Sequence, residues 1–327
     1  MVTIKELSKL AKVSPTTISN VIHGRITEIS PKTLKKVQQI ISETGYTPNM
    51  AGKSLVCNKS QLIGVILNTE YREDGMILQD GYHGEIITAI EEKIREEGYY
   101  MLLYGSKNVQ EALSVAKSWN IDGLIVLETK PQETEEFIKK YPAVVFIDGS
   151  SPKENIDLFH NVHSNDFDGG HQVAKYFLSK NFYKVAFVAD EKELFGVDLE
   201  RWRGLLSLYP NASYIDISVN SQKRKKEIRS LISNRSIVEF DALFFNSDIL
   251  AIETIIELNS VGLRVPDDIC IVGYDDSISS QFMNLTTIKQ HTTEKGRRAV
   301  ELLIAHINGK FNKIKEKALP VELIIRN

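Results

Sequence analysis

The sequence predicts an all-α helix-turn-helix head over residues 1–46, a short hinge over 47–59, and an α/β core over 60–327 whose parallel sheets are flanked by helices and divided between two lobes. Three observations carry this. Helix-start signals recur through the opening segment. Beyond residue 60, short β-branched runs alternate with amphipathic stretches. Nine such runs are too many for one parallel sheet with a single core.

In the head, Thr3 and Glu6 stand at capping-box spacing: the threonine oxygen takes an orphan N–H and the glutamate reaches back. Ile4, Leu7, Leu10 and Ala11 then fall on one helical face. Ser14 followed by Pro15 is a second start, a capping hydroxyl ahead of a proline whose missing N–H is no loss at that position. Ile18, Val21 and Ile22 form that helix's buried stripe. Ser30 and Pro31 open a third helix, with Leu34, Val37, Ile40 and Ile41 inward and Gly45 as its stop. The tight helix pair leaves Pro15, Thr16, Thr17, Ser19, Asn20 and His23 outward on its second member. Hydroxyls and amides there can meet phosphate oxygens and base edges, as major-groove reading requires.

The hinge carries TPNMAGKSLV over 47–56, with an apolar stripe of Met50, Ala51 and Leu55 suited to about two helical turns. A helix that short does not hold alone in water, and Gly52 weakens it by about 1 kcal/mol relative to alanine. It is expected to form only when paired with a twin against DNA. Gly52-Lys53-Ser54 imitates the tail of a phosphate loop, but the first glycine that such a loop needs is replaced by Thr47, and no strand precedes it.

In the core the strands read as LIGVILN, YYMLLYG, GLIVLE, AVVFID, KVAFVAD, SYIDIS, ALFFNS, CIVGYD and VELIIRN, with helices over 82–97, 108–119, 168–180, 198–208, 221–234, 248–261 and 293–308. The chain is expected to cross between lobes around Phe159–Ser164 and again at LTTIKQH over 285–291. Two facing lobes make a cleft from their strand ends. The polar residues following strands are Asn68, Asp148, Asp190, Asn246, Ser247, Asp248, Asp275 and Asp276. Carboxylates and amides in such a ring, beside aromatic faces, suit a sugar.

Composition is that of a soluble globular protein, with 25% charged and 42% hydrophobic residues in 327. The net charge of −3 hides an asymmetry: nine Lys/Arg against three Asp/Glu in the first 60 residues give +6, leaving −9 on the rest. A basic end on an acidic body points to phosphate contact by that end. Cys57 and Cys270 are expected to stay reduced, and no apolar segment serves as a signal or a membrane span, so a cytoplasmic protein without membrane association is expected. His160, His163 and His171 lack a partner completing a metal set. No dinucleotide or nucleophile-elbow fingerprint is present, and no nucleophile–base pair supports catalysis, so neither an enzyme nor a cofactor is expected.

TIKELSKLAKVSPTTISNVIHG, then GYTPNMAGKSL, then a long α/β chain together resemble the lactose/galactose-repressor (LacI/GalR-type) family of transcription regulators, and the resemblance runs over essentially the whole chain. It implies a periplasmic-binding-protein-like core crossed three times, the last near Pro320, with one lobe formed by 60–160 and 291–319 and the other by 161–290 and 320–327. It implies that Pro15, Thr16 and Asn20 read bases, that Thr17, Ser19 and His23 anchor phosphates, that Asn49 and Lys53 contact DNA, and that Leu55 is a wedge in the minor groove. Several relatives have arginine where Asn20 stands; asparagine bridges the edge groups of adenine instead, so an altered half-site is expected. In the cleft it implies effector contacts by Arg201 of the Arg-x-x-Gly element (with Gly204), by Ser247 and Asp248 of FNSD, by Asp275 of GYDD, and by Asp148. Where relatives have Asp-Arg, this chain has Asp148-Gly149 and loses a cation. Tyr71, Arg72, Asp74 and Tyr82 are further candidates.

The expected function is a homodimeric, sequence-specific repressor of carbohydrate-metabolism genes on a pseudo-palindromic operator, controlled by a sugar or sugar phosphate. The rivals are a transporter-type sugar receptor, which would need a signal peptide and no head; an α/β enzyme, which would need a phosphate or dinucleotide loop; and a pleiotropic regulator with a phosphoprotein co-effector.

Overall fold

The computed structural model describes residues 2–22, 24–47, 59–69, 78, 80–190, 192–310 and 318–326. The chain divides into two compact units, Met1–Ser60 and Gln61–Asn327.

The head has three helices: α1 (Ile4–Ala11), α2 (Pro15–Ile22) and α3 (Pro31–Thr44). The capping box of α1 forms, Thr3 N–H donating to Glu6 Oε2 at 2.8 Å and Glu6 N–H to Thr3 Oγ1 at 3.3 Å. Ser14 Oγ accepts from Thr17 N–H at 3.0 Å, and Ser30 Oγ from Thr33 N–H at 3.3 Å. Gly45 ends α3 with φ of 60°. Leu7, Ala11, Ile18 and Val37 are the buried centre, with Ile4, Val21, Ile22, Ile40 and Ile41 against them. Leu10, expected inside, is exposed: so small a core takes the Ile4–Leu7–Ala11 row and leaves the next position outward.

The core opens with a five-stranded sheet formed by β1 (Leu62–Asn68), β2 (Tyr100–Ser106), β3 (Gly123–Leu127), β4 (Val144–Ile147) and β5 (Asn161–Val162), ordered β2-β1-β3-β4-β5 and parallel throughout. Its helices are α4 (Gly81–Glu96), α5 (Val109–Ser118) and α6 (Pro131–Lys140). The second sheet holds β6 (Val185–Ala189), β7 (Ser213–Asp216), β8 (Ala242–Phe245), β9 (Cys270–Asp275), β10 (Thr286–Lys289) and β11 (Glu322–Ile324), ordered β11-β10-β9-β8-β6-β7. It is flanked by α7 (Asp166–Ser179), α8 (Gly196–Leu206), α9 (Ser221–Ser233), α10 (Asp248–Ser260) and the short α11 (Ile278–Phe282). Finally α12 (Thr292–Ile307) returns to the first lobe, sharing a core with α4 through Ala299, Val300, Leu303, Ile86 and Ile90.

Several expectations change. Residues 161–162 pair with β4, so the first lobe reaches past 160 before the chain crosses. Thr286–Lys289, expected as part of a crossing, is a full strand. Its threonines escape a hydrophobic reading because their hydroxyls are bonded, Thr287 Oγ1 to Asp248 Oδ1 at 2.6 Å and Thr286 Oγ1 to Arg326 N–H at 3.1 Å. Helix α6 went unread because its PQETEEFIKK buries only Thr134 and Phe137. The second sheet is not wholly parallel: β11 runs antiparallel to β10. The chain leaves β10 at the cleft end, visits the first lobe as α12 and re-enters at that same end, so its last strand must run the other way. The crossings lie side by side, Asn165 N–H donating to Leu319 O at 2.8 Å and Leu319 N–H to His163 O at 2.9 Å.

Candidate functional site

One cavity of about 310 Å³ lies where the strand ends of the two sheets meet. On the first lobe, Asp80 caps α4, accepting from Tyr82 N–H at 3.2 Å, and also binds His83 Nδ1 at 2.9 Å. His83 Nε2 lies 3.2 Å from Glu128 Oε1. Burial alone would depress this imidazole, but Glu128 and Asp80 overcome it and hold its pKa up at about 10. His83 is therefore a cation at neutral pH. Tyr82 Oη donates to Asp148 Oδ2, and burial with the Asp148 charge raises the phenol well above its ordinary range.

Asp148 itself faces a fully buried lysine, Lys295 on α12, whose Nζ lies 2.9 and 2.8 Å from its two carboxylate oxygens and 2.8 Å from Gln290 Oε1. This supplies the cation that the Asp148-Gly149 departure removes. The glycine has its own cause: a Cβ at Gly149 would stand 2.8 Å from Phe146 Cβ and 3.1 Å from Thr129 Oγ1. Asp148 adopts φ of 53°, aiming its carboxylate at Lys295 as β4 ends.

On the second lobe, Arg201 is buried and donates from Nε to Asp166 Oδ1 at 2.9 Å, and from Nη1 to Asn246 O at 2.7 Å and Asp198 Oδ1 at 3.1 Å. Its guanidinium lies 3.8 Å from the centre of the Tyr274 ring. The glycines of this element serve packing: a Cβ on Gly204 would stand 2.2 Å from Phe167 O, and one on Gly170 2.0 Å from Arg201 O, so α7 and α8 touch backbone to backbone. Burial pushes Asp198 up to about 6 despite Arg201. Arg224 of α9 is held by Glu253 at 2.6 and 2.9 Å.

The strand ends of β8 and β9 supply Asn246, Ser247 and Asp275. Asp275, at φ of 127°, accepts from Gln290 Nε2 at 2.7 Å; burial and the Asp248 charge lift its carboxyl well above the usual range. Asp148, Arg201, Ser247 and Asp275 thus share one cavity, as do Asn68, Tyr82, Asp190 and Asn246. Asp248 does not line it. Its carboxylate accepts from Thr287 Oγ1 at 2.6 Å and Ser277 N–H at 2.8 Å, bracing α10 against β10 and α11. Gly273 makes room for it, since a Cβ there would stand 2.3 Å from Asp248 Oδ1. Asp276 pairs with Arg326 outside the cavity.

Sequence reasoning did not single out Lys295, His83, Glu128, Asp198, Arg224, Glu253 or Gln290. The signal for two of them was present: Lys295 and His83 each interrupt the apolar stripe of a helix, ahead of Ala299 and Leu302 in one case and Ile86 and Ile90 in the other. Tyr71, Arg72 and Asp74 lie outside the described residues. Among the described residues no cluster has the makings of a metal site. His163 Nδ1 bonds Ser164 O at 2.8 Å, His171 Nδ1 bonds Ser207 Oγ at 2.7 Å, and His160 packs edge-on against His306.

On the head, Pro15 and Thr16 are exposed at the start of α2, while Thr17, Ser19 and Asn20 are half-buried along it. The Thr17 hydroxyl lies 2.9 Å from Ser14 Oγ, at the helix N-terminus where an anion is favoured. His23, Asn49, Lys53 and Leu55 lie outside the described residues, as does Cys57; Cys270 is a buried free thiol.

A three-helix head with an open second helix, followed by a two-sheet receptor with an enclosed cleft, defines a ligand-responsive DNA-binding protein. Residues 3–49 match the model of bacterial regulatory proteins, lacI family, and residues 174–327 that of a periplasmic binding protein-like domain. The chain is 28% identical over 343 residues to the HTH-type transcriptional repressor PurR of Mannheimia succiniciproducens, and 29% over 346 to that of Haemophilus influenzae, covering 100% of this chain and 98% of each relative. In structure it is similar to the lac repressor dimer bound to operator and the anti-inducer ONPF (TM-score 0.82, 23% identity, 99% and 98% of the two chains covered) and to the transcriptional regulator CelR in complex with cellobiose (0.69, 21%, 100% and 99%). The chain belongs to the lacI family of bacterial regulatory proteins. It is a DNA-binding transcriptional repressor of that family and not an enzyme. No helix among the described residues is long and apolar enough to cross a membrane.

Proposed function

We propose that this repressor binds a pseudo-palindromic operator as a homodimer, and that a small polyhydroxylated molecule in the cavity sets its affinity for DNA. The observation that carries this reading is the cavity lining, in which carboxylates, amides and the rings of Tyr82 and Phe195 surround about 310 Å³. Of a sugar and a sugar phosphate, the lining favours the sugar, because Arg201, Arg224 and Lys295 already hold carboxylates. The solved complex of CelR with cellobiose agrees with a sugar in this fold. Pro15, Thr16 and Asn20 read base edges, and Thr17, Ser19 and His23 take phosphates. Asn49 and Lys53 contact DNA from the hinge, and Leu55 wedges the minor groove. A second copy is supported by apolar exposure on neighbouring helices, Ile256 on α10 and Ile278 and Phe282 on α11. The ligand acts by changing the angle between the lobes, which forms or melts the paired hinges.

The test is a fluorescence titration of the full chain with fragments of its own upstream region, with and without a panel of sugars. Expected are two chains per operator, an affinity falling steeply with salt, and a shift of that affinity by at least one sugar. A flat salt response, or indifference to every fragment in all conditions, overturns the reading.

A further inference from the structure

The cavity wall is unbalanced in charge. His83 is shared by Asp80 and Glu128, and Arg201 by Asp166 and Asp198. Arg224 holds Glu253, and Lys295 holds Asp148. Asp190 and Asp275 have no ion-pair partner among the described residues; their donors are neutral, Asn246 Nδ2 at 3.1 Å for Asp190, and Gln290 Nε2 at 2.7 Å with the Asp248 N–H at 3.5 Å for Asp275. Among the described residues, carboxylates therefore outnumber the cations around this space. Asp190 and Asp275 are half-buried, and an excess of one charge in so confined a wall is unfavourable unless something neutralises it.

A second feature points the same way. Asn246 is only 6% exposed, stands between the strand ends that carry Asp190 and Asp275, and lines the cavity. Its Nδ2 is committed to Asp190 and to Asp198 Oδ2 at 2.8 Å, which fixes the amide's orientation. Its Oδ1 is left with no hydrogen-bond partner. The wall offers acceptors and calls for donors. An ammonium group supplies three donors and a positive charge together; a hydroxyl supplies one donor and no charge; a phosphate supplies the wrong charge. Burial raises the carboxyls of Asp198 and Asp275, the direction expected of groups packed without enough counter-charge.

We propose that the ligand of this cleft is a polyol bearing a protonated amine, the amino sugars being the simplest such class, with its ammonium seated against Asp190, Asp275 and the Asn246 carbonyl. The inference rests on the reading of the cavity as the effector site and deepens it by naming the ligand's charge.

The experiment uses the full chain and matched probes: glucosamine, galactosamine and mannosamine, each beside its neutral parent sugar and that parent's 6-phosphate, followed by thermal shift and calorimetry. At least one amine is expected to bind tenfold or more tighter than its parent, with no response to the phosphates. Asp190→Asn and Asp275→Asn are expected to remove most of that preference, and to melt no lower than the parent chain when ligand-free, since each relieves uncompensated charge. Neutral sugars binding as tightly as the amines, a phosphate binding best, or no amine binding at all overturns the proposal. Operator titrations run alongside keep the two readings apart. Intact DNA binding with no amine preference sinks this inference alone, whereas a chain that ignores DNA sinks the regulator reading.

Discussion

Lys295 and Asp148 form an ion pair buried from both sides, with Nζ 2.9 and 2.8 Å from the two carboxylate oxygens. The lysine sits on the helix that returns from one lobe to the other, and the aspartate at the end of β4. Gln290, between the strand β10 and that helix, accepts from Lys295 with Oε1 and donates to Asp275 with Nε2. The polar walls of the two lobes are thereby joined through four side chains, Asp148, Lys295, Gln290 and Asp275.

Removing one member of such a pair leaves the other charged and buried, which costs about 3–5 kcal/mol. Lys295→Met is therefore expected to destabilise the core by that order, and Lys295→Met/Asp148→Asn to recover most of the loss. Urea denaturation of both variants checks this. Equal stabilities of the single and double variants would show that the pair is not what holds the site.

His83 is charged in the folded chain up to about pH 10, against about 6.5 for a free imidazole. Its folded pKa is raised, so its stabilising contribution is complete below about pH 6.5 and is lost as the pH climbs through 10. At ~1.4 kcal/mol per pKa unit this is at most ~5 kcal/mol, reduced because the Glu128 side chain is 44% exposed. The melting-temperature gap between the parent chain and His83→Gln should be widest near pH 6 and close toward pH 10. A gap of constant size across that range would remove the Asp80 and Glu128 pairing from the account.

Gly204 lets α8 lie against α7, with the main chain of Phe167 in the way of any Cβ at 2.2 Å. Gly204→Ala is expected to cost about 1–3 kcal/mol through backbone displacement, and to weaken ligand binding by shifting Arg201 one turn earlier. Gly84→Ala is the control: its Cβ would meet nothing nearer than 3.9 Å, and a helix interior gains up to about 1 kcal/mol from that change. Calorimetric melting of both variants decides, and a neutral Gly204→Ala would mean that the two helices can part freely.

Much of this protein was legible in its sequence because the signals are local. Thr3 with Glu6, and Ser30-Pro31 with Gly45, state where helices begin and end, and each forms as read. The runs ending in Asp148, Asn246 and Asp275 are apolar enough to be strands, so their polar ends had to gather at one edge. What lay beyond local signals was the direction and the partner of each side chain. Asp248 follows its strand just as Asp148 does, yet Thr287 and Ser277 turn it into a brace. Thr286 and Thr287 look too polar for a buried strand until distant residues bond their hydroxyls.

The sequence by itself determined the head, the alternation of strands and helices, and the family, since capping, periodicity and turn chemistry act over a few neighbouring residues. Only the tertiary structure decided that a lysine from α12 neutralises Asp148, that His83 is held as a cation, and that Asp190 and Asp275 share a wall with no ion-pair partner among the described residues. Charge balance and desolvation are set by residues far apart in the chain and close in space, and no window along the sequence contains them.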